Sequence, residues 1–348
     1  MALANDGERF TLPHAIQEFR MNLGYMPALW ADDGDCVLVD DVPFAVKALS
    51  QCRKAHADVL FITNEGLRDV TFTGIEPWGW DRAVRRALLD AGFDAGSLPS
   101  DEYLSYVRDL SDRRRTIDVL SFVRTGIEGA TCGESMFCST LAEVGEALSE
   151  RGKIVVKAPW SSSGRGVKYV DRGFSPSLSG WVANVVARQG GVMVEPYYRK
   201  VKDFALEFCS DGGGNVSYCG VSVFKTDKSS YSGNLIATED EKLSALFKFL
   251  PENLFFDVIG RYESYFSKGL FCRYKGLLGV DMMVVASDDG RGFLLHPCVE
   301  INVRRTMGHV AGSFKPSPTD PVQYMHIVHD VNYRLKFDNL GNNFVKVI

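Results

Sequence analysis

The sequence predicts an α/β protein in which a small doubly wound α/β domain precedes a module of two antiparallel subdomains. Strand-like and helix-like segments alternate through the first third of the chain, which is typical of a doubly wound domain. Further on, a hairpin pattern at 153–170 and two long strand patterns around the Ser287–Gly290 turn indicate antiparallel sheets. We therefore expect domains at residues 1–110, 111–196 and 197–348.

Composition restricts the classes of function. The 348 residues are enough for two or three domains, and 45% hydrophobic with 24% charged residues is ordinary for a globular protein. The net charge of -5 gives no overall attraction to nucleic acid. The sequence contains no apolar run of membrane length and no signal-peptide pattern. We expect a cytoplasmic protein that binds neither nucleic acid nor membrane; its oligomeric state stays open, with a homodimer as one alternative.

The first third of the chain carries the doubly wound pattern. Two short apolar runs, 36–39 and 59–62, predict buried parallel strands. Helical spacing over 81–91 begins at a candidate N-cap, Asp81. A second helix is expected from about residue 99 to residue 110.

A lysine and a loop of small residues form the first chemical feature. The strand at 153–158 delivers Lys157, the Ser161–Gly166 loop follows, and a returning strand covers 167–170. Backbone N–H groups of a glycine-containing loop can point at phosphate oxygens, and a nearby lysine adds a positive charge. The loop does not match a Walker A motif. Taken alone, an ordinary surface hairpin is an equal alternative.

Oxygen ligands form the second feature. Glu300 and Asn302 alternate on one strand and therefore face the same side, while Asp281 lies on the strand before it. Such oxygen ligands suit Mg²⁺, which completes its shell with phosphates and water. The alternative is an ion pair of these carboxylates with Arg304 or Arg305.

The order of these features resembles the ATP-grasp superfamily. IVVKAPWSSSGRGVKYV at 154–170 resembles its phosphate-grasping hairpin, and VMVEPYY at 192–198 resembles its adenine-binding hinge. GVDMMVV at 279–285 and VEINVR at 299–304 resemble its paired magnesium-ligand strands. The resemblance extends over about 113–308.

The resemblance implies a ligase that uses ATP and Mg²⁺ to phosphorylate a substrate carboxylate and then couples the acyl-phosphate to an amine. The implied nucleotide contacts are Lys157, Ser161, Ser162, Ser163, Gly164, Arg165, Gly166, Glu195, Tyr198 and Asp203. Asp281, Glu300 and Asn302 would hold Mg²⁺. Arg304 and Lys157 would act on the transferring phosphate.

One position departs from the family pattern. The family usually has another ATP-binding lysine before the hairpin, where this chain has the run 112–115 with three arginines. Arginine keeps the charge and adds a fork of donors, so an arginine is expected to substitute. We predict Arg114 as the contact, although the sequence does not separate it from Arg113 and Arg115.

Three further segments bear on the reaction or the fold. The strand that carries Glu300 and Asn302 is called the metal strand below. Residues 305–309 follow it directly and are expected to line the acceptor site. Residues 226–234 are either a lid or an ordinary surface loop, and a final helix is expected over about 320–335. Two other functions stay open: a small-molecule kinase on the same scaffold and a non-catalytic nucleotide-binding module.

Overall fold

The computed structural model contains eleven α-helices and thirteen strands in the part of the chain that it describes. The described residues are 2–9, 11–52, 57–161, 166–227, 230–290 and 292–341, except for the side chains of residues 68 and 69. The helices are α1 Ala2–Asn5, α2 His14–Asn22, α3 Val42–Ser50, α4 Arg82–Asp90, α5 Asp101–Leu110, α6 Arg115–Arg124, α7 Leu141–Arg151, α8 Pro176–Gln189, α9 Glu239–Leu246, α10 Glu252–Phe266 and α11 Met307–Gly312. The strands are β1 Cys36–Leu38, β2 Leu60–Ile62, β3 Met136–Cys138, β4 Ile154–Lys157, β5 Val167–Val170, β6 Val192–Pro196, β7 Lys200–Asp211, β8 Val216–Asp227, β9 Ser230–Ile236, β10 Lys275–Ala286, β11 Phe293–Asn302, β12 Gln323–His329 and β13 Tyr333–Asn339. Within these ranges, no helix has the length and apolarity needed to cross a membrane.

The first third contains the predicted parallel strands. β1 and β2 pair in parallel, with Val37 opposite Phe61. The expectation that both strands are buried is met only in part: Val37 and Ile62 are buried, but Leu38 and Leu60 are exposed. A sheet of only two strands leaves part of each strand uncovered. The helix at Asp81 is confirmed as α4, whose first turn the Asp81 carboxylate caps.

The N-terminal segment shares its hydrophobic core with the C-terminal hairpin. The residues that meet in this core include Tyr25, Leu29, Val37, Ile236, Val310, Met325 and Leu335. The Leu335 backbone N–H also donates to the Tyr25 hydroxyl at 3.4 Å. This part of the chain is therefore held in place by the sheet that follows it, and the domain limits expected from the sequence stay a prediction.

The predicted lysine hairpin belongs to a four-stranded sheet with the order β3-β6-β4-β5. β4 pairs antiparallel with β5, and Lys157 lies opposite Val167. Ile154 and Val156 are buried in a core that they share with α7 and α8. Strand alternation therefore turns Lys157 to the other face of this sheet, away from these helices.

The predicted acidic hairpin belongs to a seven-stranded antiparallel sheet with the order β11-β10-β7-β8-β9-β12-β13. Phe204 and Phe208 of β7 are buried with Tyr262 and Phe266 of α10, so one face of the sheet packs on α10. The opposite face carries the alternate residues of β7 and is contacted by α11.

Two predicted elements are wrong. The expected helix over about 320–335 is the β12–β13 hairpin, because Met325 is buried when β12 pairs with β9. Sheet pairing thus overrides the helical spacing. The segment at 226–234 is neither a lid nor a loop where it is described: it forms the ends of β8 and β9, and Asn234 is buried.

Candidate active site

The two large sheets meet at Lys157. Its ammonium group lies 2.6 Å from the Glu195 carboxylate, and these residues are only 6% and 5% exposed. Lys157 Nζ also donates to the Val299 carbonyl on β11 at 3.3 Å. Burial raises the pKa of Glu195, and the neighbouring Lys157 charge opposes that rise. These contacts bring together Lys157 of the hairpin, Glu195 of the predicted hinge and strand β11.

Arg113 is the second cation at this junction. Its guanidinium donates to the Ala158 carbonyl at 2.6 Å and to Ser161 Oγ at 2.8 Å, both in the hairpin. A third hydrogen bond, of 2.7 Å, reaches Glu300 Oε1 on β11. One buried arginine therefore joins the base of the hairpin to the predicted metal strand.

The predicted Arg114 contact receives no support from this geometry. Arg114 Nε donates to Asp112 Oδ2 at 2.7 Å, and its guanidinium lies over the Phe137 ring at 5.1 Å. Arg113, rather than Arg114, contacts the hairpin and Glu300. Since the three arginines are consecutive, only the folded path of the chain distinguishes them.

The predicted magnesium ligands lie on adjacent strands. Asp281 is directly opposite Glu300, and Asn302 is opposite Gly279. Paired residues of antiparallel strands place their side chains on the same face. Arg304 Nη2 donates to Asn302 Oδ1 at 2.9 Å, so Arg304 faces the same group.

The pKa values of the two carboxylates shift in opposite directions. Burial acts to raise the pKa of Glu300, but the Arg113 guanidinium outweighs it, with help from Lys157 and Arg304, and that pKa lies below its ordinary value. For Asp281, burial and the nearby Glu300 and Glu207 raise the pKa well above its ordinary range. A divalent cation bound between them would favour the charged form of both.

The donor set fits Mg²⁺. Among the described residues, no three His, Cys, Asp or Glu side chains form a cluster that could hold a metal. Asp281, Glu300 and Asn302 instead offer two carboxylates and an amide. Mg²⁺ takes few protein oxygens and keeps positions for phosphates and water, so a small set of hard ligands is appropriate.

A β-bulge lies beside these ligands. The pairing of β10 with β11 shifts register between Asp281 and Met283, since Asp281 faces Glu300 but Met283 faces His296. β11 is the edge strand of the sheet and contains Pro297, which edge strands and bulges tolerate. Bulges are over-represented next to active sites, which agrees with the predicted metal site at Glu300 and Asn302.

The remaining predicted nucleotide contacts are only partly brought together. Ser161 lies at the junction through Arg113, and the Gly166 carbonyl accepts from the Ala158 N–H at 2.8 Å. Tyr198 packs edge-on against His296, with 5.2 Å between ring centroids. Asp203 instead pairs with Lys200 at 2.6 Å and accepts from Thr226 Oγ1. The predicted contacts at Ser162, Ser163, Gly164 and Arg165 lie outside the described residues.

Comparisons with known proteins bear on the fold. No protein-family model and no curated protein sequence matches the chain. The biotin carboxylase domain of 2-oxoglutarate carboxylase from Hydrogenobacter thermophilus is similar in structure, with a TM-score of 0.51 and 13% identity over 88% of this chain and 72% of that chain. N5-carboxyaminoimidazole synthetase from Staphylococcus aureus has a TM-score of 0.46, with 12% identity over 87% and 80% of the two chains. For biotin carboxylase from Campylobacter jejuni the values are 0.44, 13%, 64% and 52%, so this chain spans about half of that one.

The first of these similarities has the highest TM-score of the three and covers most of the chain. The chain has an ATP-grasp fold. The β4–β5 hairpin is the element that the sequence predicts to grasp phosphates, and that role stays a prediction. The identity is low in every comparison, so similarity establishes the architecture, while the reaction is a separate proposal.

A segment from the first third of the chain fixes the end of the strand on which the metal ligands are predicted. The Arg305 N–H donates to the Trp78 carbonyl at 2.9 Å, and the Arg305 guanidinium lies over the Trp30 ring at 4.2 Å. Gly79 packs directly on Arg304: an added Cβ would lie 2.8 Å from Arg304 Cβ. This contact positions Arg304 beside Asn302.

Gly79→Ala is therefore expected to displace Arg304. The sequence predicts that Arg304 acts on the transferring phosphate. We therefore predict that ADP formation is about 10- to 100-fold slower, because small misplacements of such a group are costly. The added methyl group should cost about 1–3 kcal/mol of stability. Gly74→Ala is the matched control, since its Cβ would meet nothing within 4 Å. Equal activity of the two variants would contradict this role for Gly79.

The burial of His296 predicts that the free energy of unfolding falls at acid pH. It is buried, neither ring nitrogen has a hydrogen-bond partner within the described structure, and burial lowers its pKa from 6.5 to about 3. Between these values the unfolded chain binds a proton that the folded chain does not, so stability falls as the pH falls. Relative to His296→Leu, the wild type should lose about 1.4 kcal/mol per pH unit between pH 6 and pH 4. Denaturant unfolding at each pH measures it, and parallel slopes would contradict it.

Proposed function

We propose that this chain is a Mg-ATP-dependent ligase that phosphorylates a substrate carboxylate and couples the acyl-phosphate to an amine. The proposal rests on Arg113, which joins the base of the hairpin to Glu300. Arg113 and Lys157 on the hairpin side face Glu300, Asp281 and Asn302 on the strand side. Cations opposite oxygen ligands are what a magnesium–triphosphate complex requires, because the phosphates need the cations and the metal needs the oxygens.

In the proposed complex the nucleotide lies between the two sheets. Lys157 and Arg113 exchange their carboxylate partners for phosphate oxygens. Glu195 accepts from the adenine amino group, with the Tyr198 backbone nearby and Asp203 on the ribose side. Asp281, Glu300 and Asn302 would hold Mg²⁺, which would supply positive charge to neutralise the phosphates.

The protein then contributes mainly by positioning the reactants and forms no covalent intermediate with them. A carboxylate oxygen of the substrate attacks the γ-phosphorus, ADP leaves, and an acyl-phosphate is formed. Arg304 and Lys157 stabilise the charge that develops on the transferring group. An amine nitrogen next attacks the acyl carbon, and inorganic phosphate leaves with its bridging oxygen.

The comparisons add limited support. The structure of the Hydrogenobacter thermophilus domain is a complex with MgADP, ADP and bicarbonate, and it is a dimer. A structure that contains both bicarbonate and the nucleotide agrees with acid activation. We extend to this chain, as parts of the same proposal, small-molecule acid and amine substrates, a cytoplasmic location and a homodimeric state, the last of which sedimentation equilibrium tests.

Hydroxylamine trapping tests the reaction. The protein is incubated with Mg-ATP, hydroxylamine and, in turn, amino acids, simple mono- and dicarboxylic acids, and bicarbonate. We expect one class of organic acid to give a hydroxamate with an equal amount of ADP, since hydroxylamine captures acyl-phosphates. ADP formed with a phosphorylated alcohol and no hydroxamate would indicate a kinase. No acid-dependent ADP from folded protein would contradict the proposed function.

A further inference from the structure

A cavity of about 510 Å³ lies beside α6, and its volume falls within the range of about 300–1,000 Å³ that is typical of small-molecule sites. Residues of α6, of the segment that leads into β3, of the end of α7 and of the end of β6 line it. Among the described residues, none of those proposed to bind ATP or Mg²⁺ lines it. The cavity is therefore separate from the proposed ATP cleft.

One wall of this cavity is apolar. Leu120 and Val194 are buried there, and Ile117, Met136 and Pro196 are partly exposed. Met136 lies opposite Val194 where β3 pairs with β6, so these two side chains share one face of the sheet. A wall of this kind takes up the apolar body of a ligand, because burial removes apolar surface from water.

Arg124, the last residue of α6, brings a positive charge to the same cavity. Its Nε donates to Thr131 Oγ1 at 3.2 Å, Nη1 donates to the Gly133 carbonyl at 2.6 Å, and Nη2 lies 3.5 Å from the Thr131 carbonyl. These acceptors are uncharged, and within the described ranges no carboxylate forms an ion pair with Arg124. A guanidinium has more N–H groups than these contacts use, so donors are left for a ligand.

The other charged residues that line the cavity are held by partners. Arg151 pairs with Glu134 at 2.7 Å, and both are exposed. Glu128, also exposed, accepts the Gly126 N–H at 2.9 Å. Arg124 thus supplies the charge that a ligand neutralises, while the two glutamates repel a second negative charge on that ligand. A carboxylate meets both conditions, because it carries a single negative charge and matches a guanidinium with two parallel hydrogen bonds.

We propose that this cavity binds a small monocarboxylic acid with an apolar body. The carboxylate accepts from the free N–H groups of Arg124, and the aliphatic or aromatic body lies against Leu120, Met136 and Val194. An acid bound here is separate from the ATP cleft and is not positioned for activation there. Its binding needs neither ATP nor Mg²⁺ and is independent of the proposed ligase function.

Calorimetric titration in the absence of ATP tests the site. The probes are 3-phenylpropanoate, 4-methylpentanoate and octanoate, each compared with its uncharged amide, and inorganic phosphate. We expect at least one acid to bind with a Kd of about 0.1–1 mM, a range that suits ligands of this size. The matching amide should bind at least about tenfold more weakly, because it lacks the charge-assisted hydrogen bonds to Arg124. No binding of any acid to folded protein, or phosphate binding as tight as that of the acids, would overturn the proposal.

Two variants locate the bound acid. Arg124→Met should weaken acid binding at least about tenfold and leave amide binding nearly unchanged, a selectivity that a purely structural role of Arg124 would not give. Since Arg124 also holds Thr131 and Gly133, Ser121→Trp is the second variant. Ser121 is an exposed residue that lines the cavity, and the larger ring should exclude acid and amide alike. Ser121→Ala is the matched control and should keep wild-type affinity. Unchanged acid binding in both Arg124→Met and Ser121→Trp would overturn the site.

The Glu300→Ala/Asn302→Ala variant distinguishes this cavity from the ATP cleft. It should lose ATP binding and keep the wild-type affinity for the acid. Acid binding that is lost in this variant but retained in Arg124→Met and Ser121→Trp would place the acid in the ATP cleft and overturn the proposal. Acid binding by a wild type that does not bind ATP would support this site and contradict the ligase proposal alone.

Discussion

Glu300→Gln is expected to reduce acid-dependent ADP formation by about 10²–10³-fold, the loss typical when one preorganised charge-stabilising group is removed. Glutamine keeps the size of the side chain but carries no charge. It would therefore bind Mg²⁺ less tightly and would leave Arg113 without its carboxylate partner at 2.7 Å. Initial rates of ADP formation, at ATP and Mg²⁺ concentrations that saturate the wild type, measure the effect.

A matched variant controls for loss of a carboxylate. Glu128 is exposed and lies outside the proposed site, so Glu128→Gln should keep wild-type rates. Raising Mg²⁺ should restore part of the Glu300→Gln rate if weakened metal binding is the cause. A Glu300→Gln rate within twofold of the wild type would show that this carboxylate does not bind the metal.

Lys157→Met is expected to lower the free energy of unfolding by about 3–5 kcal/mol, because it leaves the buried Glu195 carboxylate without its partner. Burial already raises the pKa of Glu195, and Lys157 is the largest influence that opposes the rise. The same variant should lose most of its ATP affinity, since Lys157 is the proposed phosphate contact. Denaturant unfolding and calorimetric titration measure the two effects.

The double variant Lys157→Met/Glu195→Gln separates stability from binding. Replacing both members of a buried ion pair is often neutral for stability, so the double variant should recover most of the lost free energy. It should not recover ATP binding. Recovery of both properties would show that Lys157 serves the fold alone, and recovery of neither would indicate wider disruption of β4.

The elements of the site were predictable wherever local pattern and final structure agree. The hairpin that carries Lys157 and the strands that carry Asp281 and Glu300 follow from apolar runs separated by strong turn signals. The fold resemblance followed from the order of these elements. For these segments, side-chain alternation and turn chemistry point to the same structure that the sheet requires.

Long-range pairing explains the errors. The apolar spacing of the β12–β13 segment fits both the helical period and the strand period. Only the pairing of β12 with β9 selects the strand. The choice of Arg113 over Arg114 depends on where the chain runs relative to Ala158 and Glu300. Such contacts join residues that are distant in sequence, so the local sequence pattern does not predict them.

Glu207 shows a signal that the sequence did contain. It is a lone carboxylate in the apolar strand pattern at 204–209, just as Asp281 is in its own strand. A buried carboxylate without a partner is costly, and this holds for Glu207 as it does for Asp281. Its surroundings required the structure, because Gly279, Thr306 and Gly308 come to it from other elements.

Calorimetric titration of ATP with Mg²⁺ tests the central claim most directly. The wild type should bind in the micromolar range, and the Glu300→Ala/Asn302→Ala variant should bind at least about 100-fold more weakly, a loss of about 2.7 kcal/mol. Omitting Mg²⁺ should weaken the wild type and have little effect on the variant. Well-folded wild type that shows no ATP binding, with or without candidate acids present, would contradict the assignment of this cleft as a magnesium–ATP site.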